Sequence, residues 1–209
     1  MMPRTTSSFA QSHNRCHLNA LCLMMSTLCL LPALTGCAHA PRRDAAASES
    51  IRDPRAAERL HQKATALMAS DPVEAEKLLR DAIAADIFHG PAHNNLGTLL
   101  LARGELYEAA TNFEAARKLM PGHPDPRLNL ALTYEKAARY DDAIAMYNAA
   151  LEVSPGHAPT VEALTRLEVT SSRATPETTT RLRTIALEGS SEQWREWAKR
   201  QLLRQRDAK

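Results

Sequence analysis

Beyond residue 37 the sequence contains no cysteine, because the four cysteines of the chain are Cys16, Cys22, Cys29 and Cys37. The following part of the chain therefore lacks disulfides, thiol redox chemistry and thiolate metal sites. The sequence also has no glycine-rich phosphate loop, no nucleophile elbow and no Cys/His metal pattern. These absences disfavour an enzyme, so we predict no catalytic residue, no cofactor and no metal site.

The chain also lacks a global excess of charge. Its formal net charge of +2 comes from Arg4 and Arg15, and residues 38–209 hold 24 basic and 24 acidic side chains. Without a basic field, binding to nucleic acid is not predicted. Residues 173–209 do hold nine basic against five acidic residues. We interpret this basic tail as a solvated helix face, with contact to anionic lipid or an acidic partner as the alternative.

No strand pattern is visible, and a content of 7 glycines with 44% hydrophobic residues suits an all-helical chain. Identical residues recur at a spacing of 34. The pairs are Asn95/Asn129, Leu96/Leu130, Ala109/Ala143, Ala115/Ala149, Ala116/Ala150, Pro121/Pro155, Gly122/Gly156 and His123/His157. Gly97 also matches Ala131, and Phe113 matches Tyr147. A fixed period of this length indicates stacked helical hairpins, which bind partners more often than they catalyse reactions.

The repeat resembles the tetratricopeptide repeat, whose 34-residue pattern has a Leu and a small residue in the first helix, Ala-x3-Phe/Tyr-x2-Ala in the second and Pro near the end. The matching residues are Leu96, Gly97, Ala109, Phe113, Ala116 and Pro121, and then Leu130, Ala131, Tyr134, Ala143, Tyr147, Ala150 and Pro155. A degenerate copy precedes them, with Ala75, Leu79 and Ala82 in the second helix. Its first helix has Gln62-Lys63 in place of Leu-Gly.

The resemblance implies an all-α superhelix of three helical hairpins within residues 55–157, with repeats at 56–89, 90–123 and 124–157. An ordinary helical bundle with chance periodicity is the alternative. Residues 158–170 are predicted to form a capping helix. The C-terminal segment 171–209 is predicted to be helical, with one helix opened by Thr175-Pro176 and a last helix capped by Ser190 and Gln193. Trp194 and Trp197 either anchor a partner or pack the tail against the array.

The N-terminal residues 1–37 have the pattern of a signal peptide: a polar region without acids, then an apolar stretch from Leu18 to Leu34. The ending Leu34-Thr35-Gly36-Cys37 resembles a bacterial lipobox. The resemblance implies cleavage, lipidation of Cys37 with palmitate-type chains, and a membrane anchor. Ala38 after the cysteine favours the outer membrane, facing the periplasm. A transmembrane anchor is the alternative, although Pro32 interrupts the run. Residues 38–54 are predicted to be a flexible tether.

In tetratricopeptide arrays, the first helices line a groove in which ligands lie. The resemblance places Asn94, Asn95, Thr98, Asn129, Leu132 and Lys136 in such a groove, as candidate partner-binding residues. An amide can pair with a peptide unit of any sequence, because it both donates and accepts. The alternative is that these asparagines cap or tie local turns. With Lys136 as a lone cation, the groove lacks the Lys/Arg-rich set that clamps terminal carboxylates.

His89, His123 and His157 recur at one repeat position, which suggests a shared role. Equivalent positions in successive repeats lie about 10 Å apart, given helix packing distances, so the three histidines are not expected to share a metal ion. We interpret them as loop residues that tolerate left-handed backbone conformations.

The sequence thus predicts a lipid-anchored scaffold or adaptor of the cell envelope that binds a peptide or protein partner, in the assembly of an envelope complex. A self-associating structural module is the alternative. A third, less favoured hypothesis is an accessory subunit of an enzyme. Residues 171–209 are too short for a catalytic domain with a core of its own.

Overall fold

The computed structural model describes residues 52–207, which contain helices and no strand. The predicted signal peptide, Cys37 and nearly all of the predicted tether lie outside the described residues. The helices are α1 (Pro54–Leu67), α2 (Pro72–Ala85), α3 (Gly90–Arg103), α4 (Leu106–Leu119), α5 (Asp125–Lys136), α6 (Tyr140–Val153), α7 (Ala158–Thr170), α8 (Pro176–Glu188) and α9 (Glu192–Asp207). The all-α class predicted from the sequence is confirmed.

Helix starts follow from local sequence. The Asp53 side chain accepts the backbone N–H of Ala56 at the start of α1, and Asp71 accepts that of Glu74 at the start of α2. In both helices a proline follows the capping aspartate, where its missing N–H costs no helical hydrogen bond. The sequence therefore encodes where these two helices begin.

The two starts predicted for the C-terminal helices have different outcomes. Thr175 and Thr178 form a reciprocal capping box at the start of α8, as the Thr175-Pro176 pair predicted. The predicted cap of α9 at Ser190 is wrong. Ser191 accepts the backbone N–H of Trp194 through its hydroxyl, while Ser190 bonds instead to a carboxylate of α7. A tertiary contact has displaced the local capping pattern by one residue.

The first six helices form three antiparallel hairpins, α1/α2, α3/α4 and α5/α6. The first helices of successive hairpins contact each other directly, α1 with α3 and α3 with α5, whereas the second helices pack less closely. The array therefore curves with α1, α3 and α5 toward its inner side. We call the exposed and half-buried surface of these three helices the inner face.

Small and aromatic residues hold the second and third hairpins together. The ring of Phe113 on α4 lies against Gly97 on α3, so closely that a Cβ at residue 97 would be 2.7 Å from the ring. Phe113 and Tyr147 are fully buried. In the next hairpin Ala131 and Tyr147 belong to one core cluster. The repeat spacing thus places a ring and a small residue in register in both hairpins.

The C-terminal helices dock on α7 through two buried carboxylates. Glu162 accepts the backbone N–H of Ser190 at 2.6 Å and its hydroxyl at 2.8 Å. Glu168 accepts the hydroxyl of Thr178 at 2.6 Å and pairs with Arg181. Both glutamates are at most 5% exposed, so each carboxylate is held by donors rather than by water.

An apolar cluster completes this junction. Its buried members are Leu182, Ile185 and Ala198. Trp194 and Trp197 pack against it edge to face, with ring centroids 5.4 Å apart, and Val161 and Val169 of α7 join them. Both tryptophans therefore pack the tail against the rest of the fold. Within residues 52–207, no helix combines the length and apolar character that crossing a membrane requires.

Candidate functional site on the inner face

The inner face carries one polar side chain at the same position of each first helix. His61 on α1, Asn95 on α3 and Asn129 on α5 are 34 residues apart. All three are half buried, so their polar atoms lie at the surface between neighbouring helices. The fold therefore aligns the two predicted asparagines with a histidine that the sequence pattern did not single out.

Direct hydrogen bonds join these side chains across the repeats. The amide nitrogen of Asn95 donates to Nε2 of His61 at 2.9 Å and to the hydroxyl of Thr65 at 3.2 Å. The amide nitrogen of Asn129 donates to Oδ1 of Asn94 at 3.0 Å. The asparagines thus link neighbouring first helices instead of tying local turns.

Each of these three side-chain amides uses only one of its two polar atoms in hydrogen bonds to the protein. Between residues 52 and 207, the side-chain oxygens of Asn95 and Asn129 accept no protein hydrogen bond, and the amide nitrogen of Asn94 donates none. Two acceptors and one donor are therefore open to a ligand. Peptide units supply the complementary groups, one N–H and one C=O per residue.

The other three candidate residues lie on the same two helices. Thr98 is exposed on α3, and its hydroxyl donates to the carbonyl of Asn94 at 3.0 Å. On α5, Leu132 packs partly against the core, and Lys136 donates to the carbonyl of Leu101 at 3.2 Å. Lys136 therefore serves as a bridge between α3 and α5, separate from the three clustered asparagines.

A charged network lies at the α7 end of the inner face. Glu135 on α5 pairs with Arg166 on α7 at 2.8 Å, and the hydroxyl of Tyr147 donates to Glu135 at 2.9 Å. Burial, reinforced by the charge of Glu135, raises the pKa of Tyr147 far above its usual value. The tyrosine is therefore a neutral donor. Arg166 was not predicted as a site residue, because α7 carries no repeat signature.

A second network lies at the opposite end, beside α1. Nε2 of the buried His89 is 3.0 Å from a carboxylate oxygen of Glu58, and this hydrogen bond is the main cause that holds the pKa of Glu58 below its usual value. The ring of His61 lies 5.0 Å from that of His89. Burial lowers the pKa of His61, and the neighbouring His89 lowers it further.

Glu58, His61 and His89 each offer a possible metal-ligand atom, and these atoms lie within 4.8 Å of one another. However, Nδ1 of His89 accepts the backbone N–H of Ala92 at 3.1 Å. A neutral imidazole has one accepting and one N–H nitrogen, so Nε2 of His89 carries the proton. Metal-binding histidines show the opposite arrangement, in which the nitrogen away from the metal donates. The geometry thus fits a hydrogen-bonded link between repeats better than a metal site.

The repeated histidines have a role other than the predicted one. His89 caps α3, and His157 precedes α7 with its Nδ1 2.8 Å from the hydroxyl of Thr160. Among residues 52–207, positive φ angles outside glycine occur at Ala138 and Ser172, so none of the three histidines is left-handed. The interpretation as left-handed loop residues is wrong, because the position lies at a helix start, where a side-chain acceptor is useful.

Stacked hairpins with a polar inner face define an α-helical repeat protein. A family model described as tetratricopeptide repeat matches residues 100–167, from the end of α3 into α7. Residues 100–167 therefore have the sequence pattern of tetratricopeptide repeats. No curated protein sequence matches the chain.

Solved structures share this fold at low sequence identity. The first tetratricopeptide domain of Spaghetti (RPAP3), bound to the HSP90 peptide SRMEEVD, is 14% identical with a TM-score of 0.56, over 59% of this chain and 98% of that chain. MamA, residues 41 to the end, from Desulfovibrio magneticus RS-1 is 19% identical with a TM-score of 0.55, over 64% and 73%. A mutant O-GlcNAc transferase from Thermobaculum terrenum is 21% identical with a TM-score of 0.58, over 63% of this chain and 26% of the enzyme.

Proposed function

We propose that this chain is a non-enzymatic, lipid-anchored adaptor of the bacterial cell envelope whose inner face binds an extended peptide segment of a partner protein. The observation that carries the proposal is the group of half-used amides at Asn94, Asn95 and Asn129. Their free oxygens and free amide nitrogen match the donors and acceptors of a peptide backbone.

The spacing of the amides suits an extended chain. First helices of neighbouring repeats pack about 8–10 Å apart, so Asn95 and Asn129 present their free oxygens roughly one repeat apart. An extended strand rises about 3.3 Å per residue, so about three residues of a peptide span the distance between the two asparagines. Main-chain contacts of this kind hold a segment without requiring one sequence.

The charges of the inner face guide the choice of ligand. The related domain of Spaghetti (RPAP3) holds an acidic peptide. Here Lys136 is bonded to a backbone carbonyl, and Arg166 is paired with Glu135. A single lysine and an arginine that already holds Glu135 do not form the cluster of cations that clamps a terminal carboxylate, which favours an internal peptide segment as the ligand.

The anchor belongs to the same proposal and is supported by the sequence Leu34-Thr35-Gly36-Cys37. Lipidation of Cys37 and insertion in the outer membrane, facing the periplasm, would hold the repeats at a membrane surface. Labelling of the intact chain with a palmitate analogue tests this part. We expect label in the native chain and none in a Cys37→Ser variant, and label that persists in the variant would contradict the anchor.

The inner face is tested by photo-crosslinking in cells with the full-length chain. A benzophenone amino acid is placed at Thr98 on the inner face or, as the control, at Thr180 on α8. The two positions are matched, because both threonines are exposed and donate to the carbonyl four residues earlier. We expect a distinct adduct with one envelope protein from position 98 alone. Equal adducts from both positions, or none from position 98, would refute an inner-face ligand.

A further inference from the structure

The outward surface of α4 is unlike that of α2. An open groove of about 650 Å³ runs along it. The groove is lined by Ile87, Phe88, Tyr107, Ala110, Thr111, Glu114, Ala115, Lys118, Leu119, Tyr134 and Arg139. Three large apolar side chains are exposed there: Tyr107 at 86%, Ile87 at 60% and Phe88 at 55%. Large apolar side chains that are exposed in a concave surface can be buried by a ligand.

The equivalent surface of α2 has a different chemical character. The corresponding concave surface of α2 is lined by Val73, Glu76, Lys77, Arg80 and Asp81. There Arg80 pairs with Glu76 at 2.8 Å, so the charges satisfy each other. On α4 the residues 34 positions later are Tyr107, Ala110, Thr111, Glu114 and Ala115. The same repeat position is charged in one hairpin and mainly apolar in the next.

The charges along the groove select for an acidic ligand. Lys118 has no carboxylate within 4.0 Å among residues 52–207, and Arg139 lies at the opposite end, with its guanidinium 4.6 Å from the ring centre of Tyr134. Arg139 is itself paired with Asp142, outside the groove. Glu114, the acidic residue that lines the groove, is paired with Arg117 at 2.6 Å. Each end of the groove therefore carries a cation, while the helix face between Tyr107 and Leu119 offers small apolar side chains at Ala110 and Ala115.

The dimensions favour a short segment over a folded surface. Twelve residues separate Tyr107 from Leu119, so the groove runs for about 18 Å along α4 at 1.5 Å per residue. This length accommodates about five extended residues. A stable interface between two folded copies buries about 1,000 Å² or more in total, for which a narrow groove is poorly shaped.

We propose that the α4 groove is a second docking site, separate from the inner face, for a segment of a partner protein with an apolar centre and acidic flanks. Phe88 and Tyr107 contact apolar side chains of the segment, and Lys118 and Arg139 pair with its flanking carboxylates. With both surfaces occupied, the array connects two partner segments, one on its inner side and one on its outer side.

The proposal is tested with the full-length chain in detergent and two fluorescent peptides. Both peptides have the apolar centre Leu-Leu-Phe-Leu. The acidic peptide has two glutamates on each side of this centre, and the basic peptide has two lysines on each side. We expect the acidic peptide to bind at least tenfold more tightly than the basic peptide. Lys118→Glu should reduce that preference several-fold, and the double variant Phe88→Ser, Tyr107→Ser should weaken the acidic peptide about tenfold. Val73→Ser, which removes an exposed side chain from α2, is the matched control and should change neither affinity.

A benzophenone at Thr111 identifies the occupant in cells and separates this proposal from the inner-face proposal. An adduct with a partner protein from position 111, mapped to an acid-flanked apolar segment, supports the α4 groove whether or not position 98 gives one. An adduct with a second copy, or with residues before 52 of the same chain, would overturn the proposal. Equal affinity of the two peptides, or no effect of Phe88→Ser with Tyr107→Ser, would also overturn it.

Discussion

In the repeat array, the aromatic ring on each of the helices α4 and α6 packs with a small residue on the preceding helix. The C-terminal helices α8 and α9 are instead held to α7 through two carboxylates. Phe113 against Gly97 requires no polar partner and tolerates no extra atom. Glu162 and Glu168 depend on every donor that surrounds them. Packing defects should therefore affect the array, and loss of a single charge should affect the tail.

The largest effect is expected for Glu168→Ala. Removing one partner of a buried ion pair leaves the other charge without compensation, at a cost of about 3–5 kcal/mol. Here the change would leave Arg181 and the hydroxyl of Thr178 without their partner. Both tryptophans of the chain lie in α9, so tryptophan fluorescence in urea reports on this region, while circular dichroism reports on all helices.

We expect the fluorescence midpoint of Glu168→Ala to fall well below the circular dichroism midpoint. Glu188→Ala, which removes an exposed carboxylate from α8, serves as the control and should leave both midpoints in place. If the two midpoints of Glu168→Ala remained coincident, the tail would not be a separately held region.

The second largest loss of stability, in the repeat array, is expected for Gly97→Ala. The added methyl group would lie 2.7 Å from the ring of Phe113, and overpacking of a core costs about 1–3 kcal/mol. Alanine is favoured over glycine within a helix by about 1 kcal/mol, which offsets part of this loss. Urea denaturation followed by circular dichroism should show a net loss, and Phe113→Leu should cost less in the Gly97→Ala background than alone. Additive effects would mean that the contact does not limit packing.

A smaller effect is expected for Thr175→Ala, which removes the capping box of α8. Loss of a helix cap costs about 1 kcal/mol. The change should lower the tryptophan fluorescence midpoint and leave hydrogen exchange of α3 and α4 unaltered. Thr180→Ala removes a hydroxyl from the same helix without a capping role and is the matched control. Equal shifts in the two variants would contradict a specific role of the cap.

The smallest effect is on the pH dependence of stability, through His61 on the inner face. Because burial lowers the pKa of His61, the folded state resists its protonation while the unfolded chain takes up a proton near the ordinary value of 6.5. Stability should therefore decline as the pH falls below about 6.5, toward the lower pKa of the folded state. His61→Asn introduces the residue found at this position in the next two repeats. The free energy of unfolding of this variant should therefore depend less on pH between 7.5 and 5.5. If its pH dependence were unchanged, groups other than His61 would be responsible.

The fold was predictable because its signal is local and repeated. Ala109, Phe113 and Ala116 recur as Ala143, Tyr147 and Ala150, and all six are fully buried. The helix start at Asp71-Pro72 was likewise predictable, since a cap and its partner lie three residues apart. Both kinds of pattern need no knowledge of distant contacts.

Features that depend on distant partners were not predictable. From the sequence alone, Glu162 and Glu168 would be assigned to the solvent-facing side of a helix. They are buried because α8 and α9 cover them. The positions of Asn95 and Asn129 followed from the repeat, but their bonds to His61 and Asn94 depend on side-chain rotamers across helices. The α4 groove is formed by two loops and a helix face together, so no single stretch of sequence indicates it.

The first described residues of the chain have a mechanical consequence. Arg52 pairs with the buried Asp86 at 2.6 Å, and the backbone N–H of Asp53 donates to the carbonyl of Ala85 at 2.9 Å. The start of α1 is thus fastened to the end of α2. A pulling force applied ahead of residue 52 would load both ends of the first hairpin at once, instead of peeling α1 away one turn at a time. Both contacts would have to break before α1 could separate from the end of α2.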